Sequence, residues 1–262
     1  MARKGRSPGI TLVRSPRRWW WTWGAWLLIA GLTLQLLAVG RIALMAVVDP
    51  QSTSLQRSEA WRLMEQPATM QWQQRWVADE AISNHLRRAV IASEDSEFFD
   101  HNGVDWDAIQ GAWQRNTRAQ ARATKQSSAK ASNKAPKIVG GSTITQQLAK
   151  NLLLSRERTF VRKGQELLLT FALEACLSKQ RILTIYLNSV EWGDGIFGAE
   201  AAAQHYFKKP AAKLSTREAA KLAVMLPNPK FFEDRPNSGY LQGRTNTIQA
   251  RMAHVRLPKV QP

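Results

Sequence analysis

Charged residues are absent between residues 19 and 40. At a 1.5 Å rise per residue that run of about 22 spans a hydrocarbon layer of roughly 30 Å. Trp19, Trp20, Trp21, Trp23 and Trp26 crowd its first turns, at the depth amphipathic indoles favour. Further on, apolar positions recur with the period of a helix. Ile82, Leu86 and Val90 share a face over residues 78–93, and Ile144, Leu148 and Leu152 over residues 143–154. Residues 163–178 and 179–188 follow, the first so apolar that a buried central helix is expected. Ser215 and Glu218 form a capping box opening a helix over residues 216–226, which Pro227 and Pro229 end. No alternating strand stands out. Gly193, Gly195 and Gly198 are read as a tight connection between helices.

The pattern therefore predicts a mainly α chain without internal repeats. Its parts are a basic tail (1–18), a transmembrane helix (19–40), a connector (41–77) and one all-helical domain (78–262), large enough to bury a core. Arg3, Lys4, Arg6, Arg14, Arg17 and Arg18 precede the apolar run without an acidic residue. The positive-inside rule then puts the N-terminus in the cytoplasm and the domain across the membrane. A cleaved signal peptide would want a shorter apolar core and a prompt small-x-small site; Arg41 and more apolar residues follow instead, so an uncleaved anchor is expected.

Composition changes this picture little. The net charge of +17 invites a nucleic-acid partner, but six positive charges are the tail. Seven more, Arg115, Arg118, Arg122, Lys125, Lys130, Lys134 and Lys137, fall in one stretch with neither aromatic nor acidic residues. Stacking on bases would want interleaved aromatics, so no nucleic acid is expected, and residues 115–137 are read as a mobile basic loop. Anionic headgroups or a pyrophosphate suit these charges better. The single cysteine, Cys176, excludes an intramolecular disulfide and a cysteine metal cluster. Trp106, Ile109 and Trp113 lie at i, i+3 and i+7, either a core face or a short helix dipping into the outer leaflet; the adjacent basic stretch favours the second.

Candidate chemistry begins with the pair Glu94 and Asp95, where a helix gives way to loop. A carboxylate base needs a cleft and nearby cations or amides. Gly140, Gly141, Ser142 and Thr143 feed a helix N-terminus with two hydroxyls, an expected anion site. Gln146, Gln147, Lys150 and Asn151 continue a polar stripe, and Arg162, Lys163 and Glu166 put two cations and a carboxylate within one turn. Taken alone, that last set also fits an ordinary surface salt bridge.

Five segments carry a resemblance to a known family. These are Glu94-Asp95-x-x-Phe98-x-x-His101-x-Gly103-x-Asp105, residues 140–151, Arg162-Lys163-x-x-Glu166, Ile182 through Asn188, and Leu226-Pro-Asn-Pro229. In this order they resemble the motifs of the peptidoglycan glycosyltransferases, lysozyme-like polymerases of lipid II, and the chain most resembles their monofunctional biosynthetic members. The resemblance implies an inverting enzyme that joins lipid II into β-1,4-linked glycan and releases undecaprenyl pyrophosphate. It implies Glu94 as the base and Glu166 as a second catalytic carboxylate near the pyrophosphate. Asp95, Ser142, Thr143, Gln146, Gln147, Lys150, Arg162 and Lys163 are implied substrate contacts. No organic cofactor is expected; a divalent cation, Mg or Mn, would act through the donor pyrophosphate beside Glu94 or Glu166. The implied location is the inner membrane with a periplasmic catalytic domain, and the candidate protein partners are other cell-wall synthases and division proteins.

Two departures stand out. Thr184 replaces the glutamate many relatives carry, and the 115–137 stretch is longer than usual. Ser127-Ser-Ala-Lys130 matches the Ser-x-x-Lys pattern of transpeptidases, but no Lys-Thr-Gly accompanies it, so no transpeptidase activity is expected. A lysozyme-like hydrolase would leave the pyrophosphate-binding set without purpose, and an idle scaffold would not need the catalytic side chains.

Overall fold

The computed structural model describes residues 16–65, 71–127, 140–155, 157 and 159–258. Eleven α-helices and three short strands are assigned among them. Arg3, Lys4, Arg6, Arg14 and most of the tail lie outside the described residues. Helix α1 (Pro16–Leu44) is apolar on every side and exposed along nearly all of residues 19–40, and Trp19–Leu44 is long and apolar enough to cross a membrane.

Contacts divide the chain at Arg41, so the second compact unit begins at Ile42 rather than at residue 78. Part of the expected connector is folded into that unit. Ile42 and Met45 are buried, Arg181 Nε donates to Met45 O at 2.7 Å, and its guanidinium pairs with Asp49 at 2.8 Å. Helix α2 (Ser54–Met64) opens with a capping box between Thr53 and Gln56 and buries Glu59 and Leu63.

Helix α3 (Asn84–Glu94) starts later than the apolar spacing suggests. Asp79–Ala81 forms a separate 3-10 turn, and Ser83 caps the helix by accepting from His85 N at 3.0 Å. After it come α4 (Trp106–Ser127), α5 (Ile144–Leu153), α6 (Phe160–Cys176) and α7 (Lys179–Ser189). The C-terminal part holds α8 (Ala199–Phe207), α9 (Thr216–Met225), α10 (Pro229–Glu233) and α11 (Gly239–Arg251). Helices α3, α9 and α11 pack as one group, and α5 packs on α6 and α7. The capping box at Ser215 is present, and Pro229 opens α10 as its first residue.

Three expectations are corrected. The central buried helix is α7, whose residues from Ile182 to Ser189 are all buried; α6 buries only Glu166, Leu169, Thr170 and Leu173 and leaves Leu168 and Phe171 exposed. Leucine-rich composition set the expectation, but it does not require burial all round. The basic stretch is helical through Ser127, because alanine, glutamine, lysine and arginine favour helix without an apolar stripe; residues 128–139 lie outside the described residues. A small sheet is present in the order β1-β3-β2, with β1 (Gln73–Gln74) parallel to β3 (Ile196–Phe197) and β2 (Glu191–Gly193) antiparallel to it. Gln73 pairs with Ile196 and Glu191 with Phe197. The glycine cluster thus builds a hairpin. Gly195 has φ 72°, and a Cβ there would stand 1.9 Å from Gln71 O.

The helical face of Trp106, Ile109 and Trp113 is not core. Trp106 is 66% and Trp113 75% exposed, and α4 is 22 residues long rather than short.

Candidate active site

Glu94 is the last residue of α3, and the backbone turns out of the helix at Asp95. The two adjacent carboxylates consequently meet different partners. Glu94 Oε2 accepts from Gln147 Nε2 at 3.0 Å, and its Oε1 accepts from Ser93 Oγ at 3.3 Å. Gln147 Oε1 accepts from the Tyr186 hydroxyl at 2.9 Å. Tyr186 is fully buried on α7, and burial together with the charges of Glu94 and Asp95 pushes its phenol well above the ordinary value. The tyrosine therefore remains a donor, which fixes the amide end that faces Glu94. Burial also raises the Glu94 carboxyl above its usual range and Asp95 adds to the rise; the bonds from Gln147 and Ser93 and the charge of Arg244 oppose it. A half-buried carboxylate of raised proton affinity, oriented by an amide, has the attributes of a general base.

Asp95 is buried and turned to α5. Its Oδ2 accepts from Ile144 N at 3.0 Å and its Oδ1 contacts His101 Nε2 at 2.9 Å. His101 Nδ1 accepts from Gly103 N at 3.1 Å, which makes Nε2 the protonated nitrogen and Asp95 its acceptor. Thr143 caps α5, accepting from Gln146 N at 3.2 Å and donating to Gly103 O at 2.6 Å, while Gln146 Oε1 accepts from Thr143 N at 3.1 Å. The anion site expected at this helix start is thus already supplied with an anion, the carboxylate of Asp95, and Thr143 is spent on the cap. Gly141 serves close packing: a Cβ there would lie 3.2 Å from Ile109 Cα.

Two cavities meet at Ser142, which lines both. The larger, of about 510 Å³, is lined by Gln146, Gln147, Lys150, Arg162, Lys163 and Glu166, with Leu55, Leu154, Val190 and Leu226 as apolar wall. The smaller, of about 160 Å³, holds Glu94, Asp95, Asp105 and residues 140–143, with Arg115 and Arg251. Glu166 is buried, so its pairing is no surface salt bridge; Arg162 Nη1 binds Oε2 at 2.8 Å and Lys163 Nζ binds Oε1. Arg162 Nε is buried without a hydrogen-bond partner among the described residues.

The sequence reading missed several neighbours. Glu191, on β2, lines the larger cavity and joins Glu59 and Asp194 around the Lys230 ammonium at 3.2, 2.8 and 2.8 Å. These carboxylates have the spacing of a metal site, but the lysine holds its centre. Leu55 and Glu59 come from α2, whose Thr-x-x-Gln signature was available in the sequence. Tyr186 lay inside the segment from Ile182 to Asn188 but was not singled out, and Arg244 and Arg251 carried no local signal.

At Thr184 an acid arrives from elsewhere. Its hydroxyl donates to Asp79 Oδ1, and Asp79 pairs with Arg87 at 3.0 Å.

The sequence model of the family described as Transglycosylase matches residues 62–253. The chain is 48% identical over 243 residues, 93% of its length, to the biosynthetic peptidoglycan transglycosylase of Paraburkholderia phytofirmans, covering 95% of that protein. It is equally similar, with the same coverage, to the protein of that name from Paraburkholderia xenovorans. Against the one from Burkholderia thailandensis, identity is 46% over 256 residues, 98% of this chain and 94% of that protein.

Proposed function

The chain belongs to the transglycosylase family, and on that premise we infer that it polymerises lipid II into β-1,4-linked glycan, with inversion and without transpeptidation. The observation that carries this reading is the pair of cavities sharing Ser142, one with an oriented carboxylate and one with paired cations. In this reading Glu94 takes the proton of the acceptor 4-hydroxyl, and the freed oxygen attacks C1 of the donor sugar. The bond from C1 to the pyrophosphate oxygen breaks, and undecaprenyl pyrophosphate leaves from the opposite face.

A pyrophosphate leaving group needs its charge met more than it needs a proton, and Arg162, Lys163 and Lys150 line the cavity that would hold it. Glu166 sets the positions of the two cations through its two oxygens. Ser142 and Gln146 line the same wall. Asp95 and Thr143 act one step back by fixing the start of α5, and Gln147 holds Glu94.

Each oxygen of Glu166 and of Glu94 accepts one hydrogen bond and keeps a further lone pair, so either carboxylate could reach a divalent cation beside the pyrophosphate. A cation would be carried by pyrophosphate oxygens, and no step is assigned to it. The apolar α1 and the basic tail support a single-pass anchor in the inner membrane, with the N-terminus cytoplasmic and the enzyme periplasmic.

The test is incubation of the detergent-solubilised protein with labelled lipid II and separation of products by size. Long lysozyme-sensitive glycan is the expected result; its absence from active-site-intact protein would turn the reading to a hydrolase or a scaffold.

A further inference from the structure

Lys230 is the second residue of α10, directly after the proline that opens it. Helix starts favour acidic side chains over cations, so nothing local calls for a lysine there. Its partners come from distant parts of the chain. The ammonium lies 2.8 Å from Glu59 of α2, 3.2 Å from Glu191 of β2 and 2.8 Å from Asp194 in the turn between β2 and β3. Burial pulls its pKa down, but hydrogen bonds to Asp194 and Glu59 and the charges of Glu191 and Glu59 outweigh burial and hold the pKa above its ordinary value. Arg62 ties two of the same acids from α2, at 2.7 Å to Glu59 and onward to Asp194. At the other end of α10, Glu233 accepts from Asp194 N at 2.7 Å.

The elements joined at this ammonium also supply part of the larger cavity's lining: Leu55 of α2, Glu191 of β2 and Pro229 of α10. Among the described residues two carboxylates line that cavity, Glu166 and Glu191. Glu166 is met by Arg162 and Lys163, which line the cavity with it. Glu191 is met by Lys230, which stands outside the lining.

We propose that Lys230 is a positioning residue for the donor, screening the Glu191 carboxylate from an anionic ligand in the larger cavity and holding α2, the β2–β3 hairpin and α10 together as one wall. This rests on the reading that the cavity takes the pyrophosphate of a lipid-linked sugar. Removing one partner of a desolvated ion pair leaves the charge of the other uncompensated. Here that charge would face the cavity, and its repulsion would oppose the attraction supplied by Arg162 and Lys163.

The test uses the full-length protein in detergent. It reads KM and kcat for labelled lipid II, and inhibition by added undecaprenyl pyrophosphate. Lys230→Met is expected to raise KM and weaken the inhibition, each about tenfold, while kcat changes less. Lys230→Arg keeps the charge and should stay close to wild type. Lys230→Met/Glu191→Gln should recover most of the loss, because the carboxylate that needed screening is gone. A purely structural lysine would show no such recovery, since the double variant still lacks the bonds to Glu59 and Asp194. Glu191→Gln alone leaves Lys230 in place and should bind undecaprenyl pyrophosphate at least as tightly as wild type, which keeps the test open even where Lys230→Met fails to fold.

An unchanged KM in folded Lys230→Met overturns the proposal. A defect that Glu191→Gln does not relieve overturns the screening role, and so does weaker pyrophosphate binding by Glu191→Gln alone. Wild-type protein that makes no polymer removes the polymerase reading and the proposal with it; polymer from wild type beside an unaltered Lys230→Met variant removes the proposal alone.

Discussion

Asp95 Oδ2 accepts from the amide of Ile144 at 3.0 Å across 49 residues of sequence. The carboxylate next to the proposed base is thereby the charge that settles the first turn of α5, at the positive end of its dipole.

Asp95→Ala should therefore act on structure before chemistry. It strips Ile144 N and His101 Nε2 of their acceptor, which costs about 1–3 kcal/mol when a buried donor is left unpaired. Thermal unfolding should show the loss, and amide exchange should rise at Ile144 and Gln146. Unchanged exchange at those two amides would contradict the cap.

Glu94→Gln separates stability from activity. The folded carboxyl has a raised pKa, so its ionised form costs the fold stability above the unfolded pKa, a cost relieved as pH falls through the folded value. The neutral amide removes that cost, and the melting temperature at pH 7 should hold or rise slightly. Glycan synthesis should drop about 100- to 10,000-fold. Near wild-type turnover would remove Glu94 from the role of base.

Gln147→Met tests the relay from Tyr186. The amide bond to Glu94 favours the charged carboxylate, so its loss should raise the carboxyl further. The acidic limb of kcat/KM should move to higher pH, since burial raises the carboxyl and the bond from Gln147 opposes that rise. A limb that stays put in a folded variant would disconnect Gln147 from the base.

The exposed indoles of α4 predict membrane contact beyond α1. A chain shortened to residues 42–262, carrying Trp106→Glu with Trp113→Glu, should partition onto anionic liposomes about tenfold or more weakly than its parent. Equal partitioning would reject a bilayer role for this face.

How much of this was legible in the chain depended on distance along it. Periodicity gave α5 and α7, and the cap at Ser215 gave α9, to within a residue or two of their bounds. The tail of α4 was not legible by periodicity, because an exposed helix needs no apolar stripe, and strands of two or three residues are too short to alternate. In the site, ordered motifs brought out Glu94, Glu166 and the basic pair. The cap formed by Asp95 spans 49 residues and the Glu59 pair with Lys230 spans 171; nothing local signals either. Arg251 was silent because an arginine on an exposed helix face looks alike whether or not it borders a cavity.

Thr184 and Asp79 lie 105 residues apart and share one hydrogen bond, with Arg87 as the common counter-charge. In mutational terms the two positions form a single locus. A glutamate introduced at 184 would crowd a second carboxylate against the first around one guanidinium, a burden that vanishes if residue 79 is made neutral at the same time. Substitutions there should be strongly epistatic, harmful singly and tolerated together, so lineages could exchange the acid between turn and helix while the local charge stays constant.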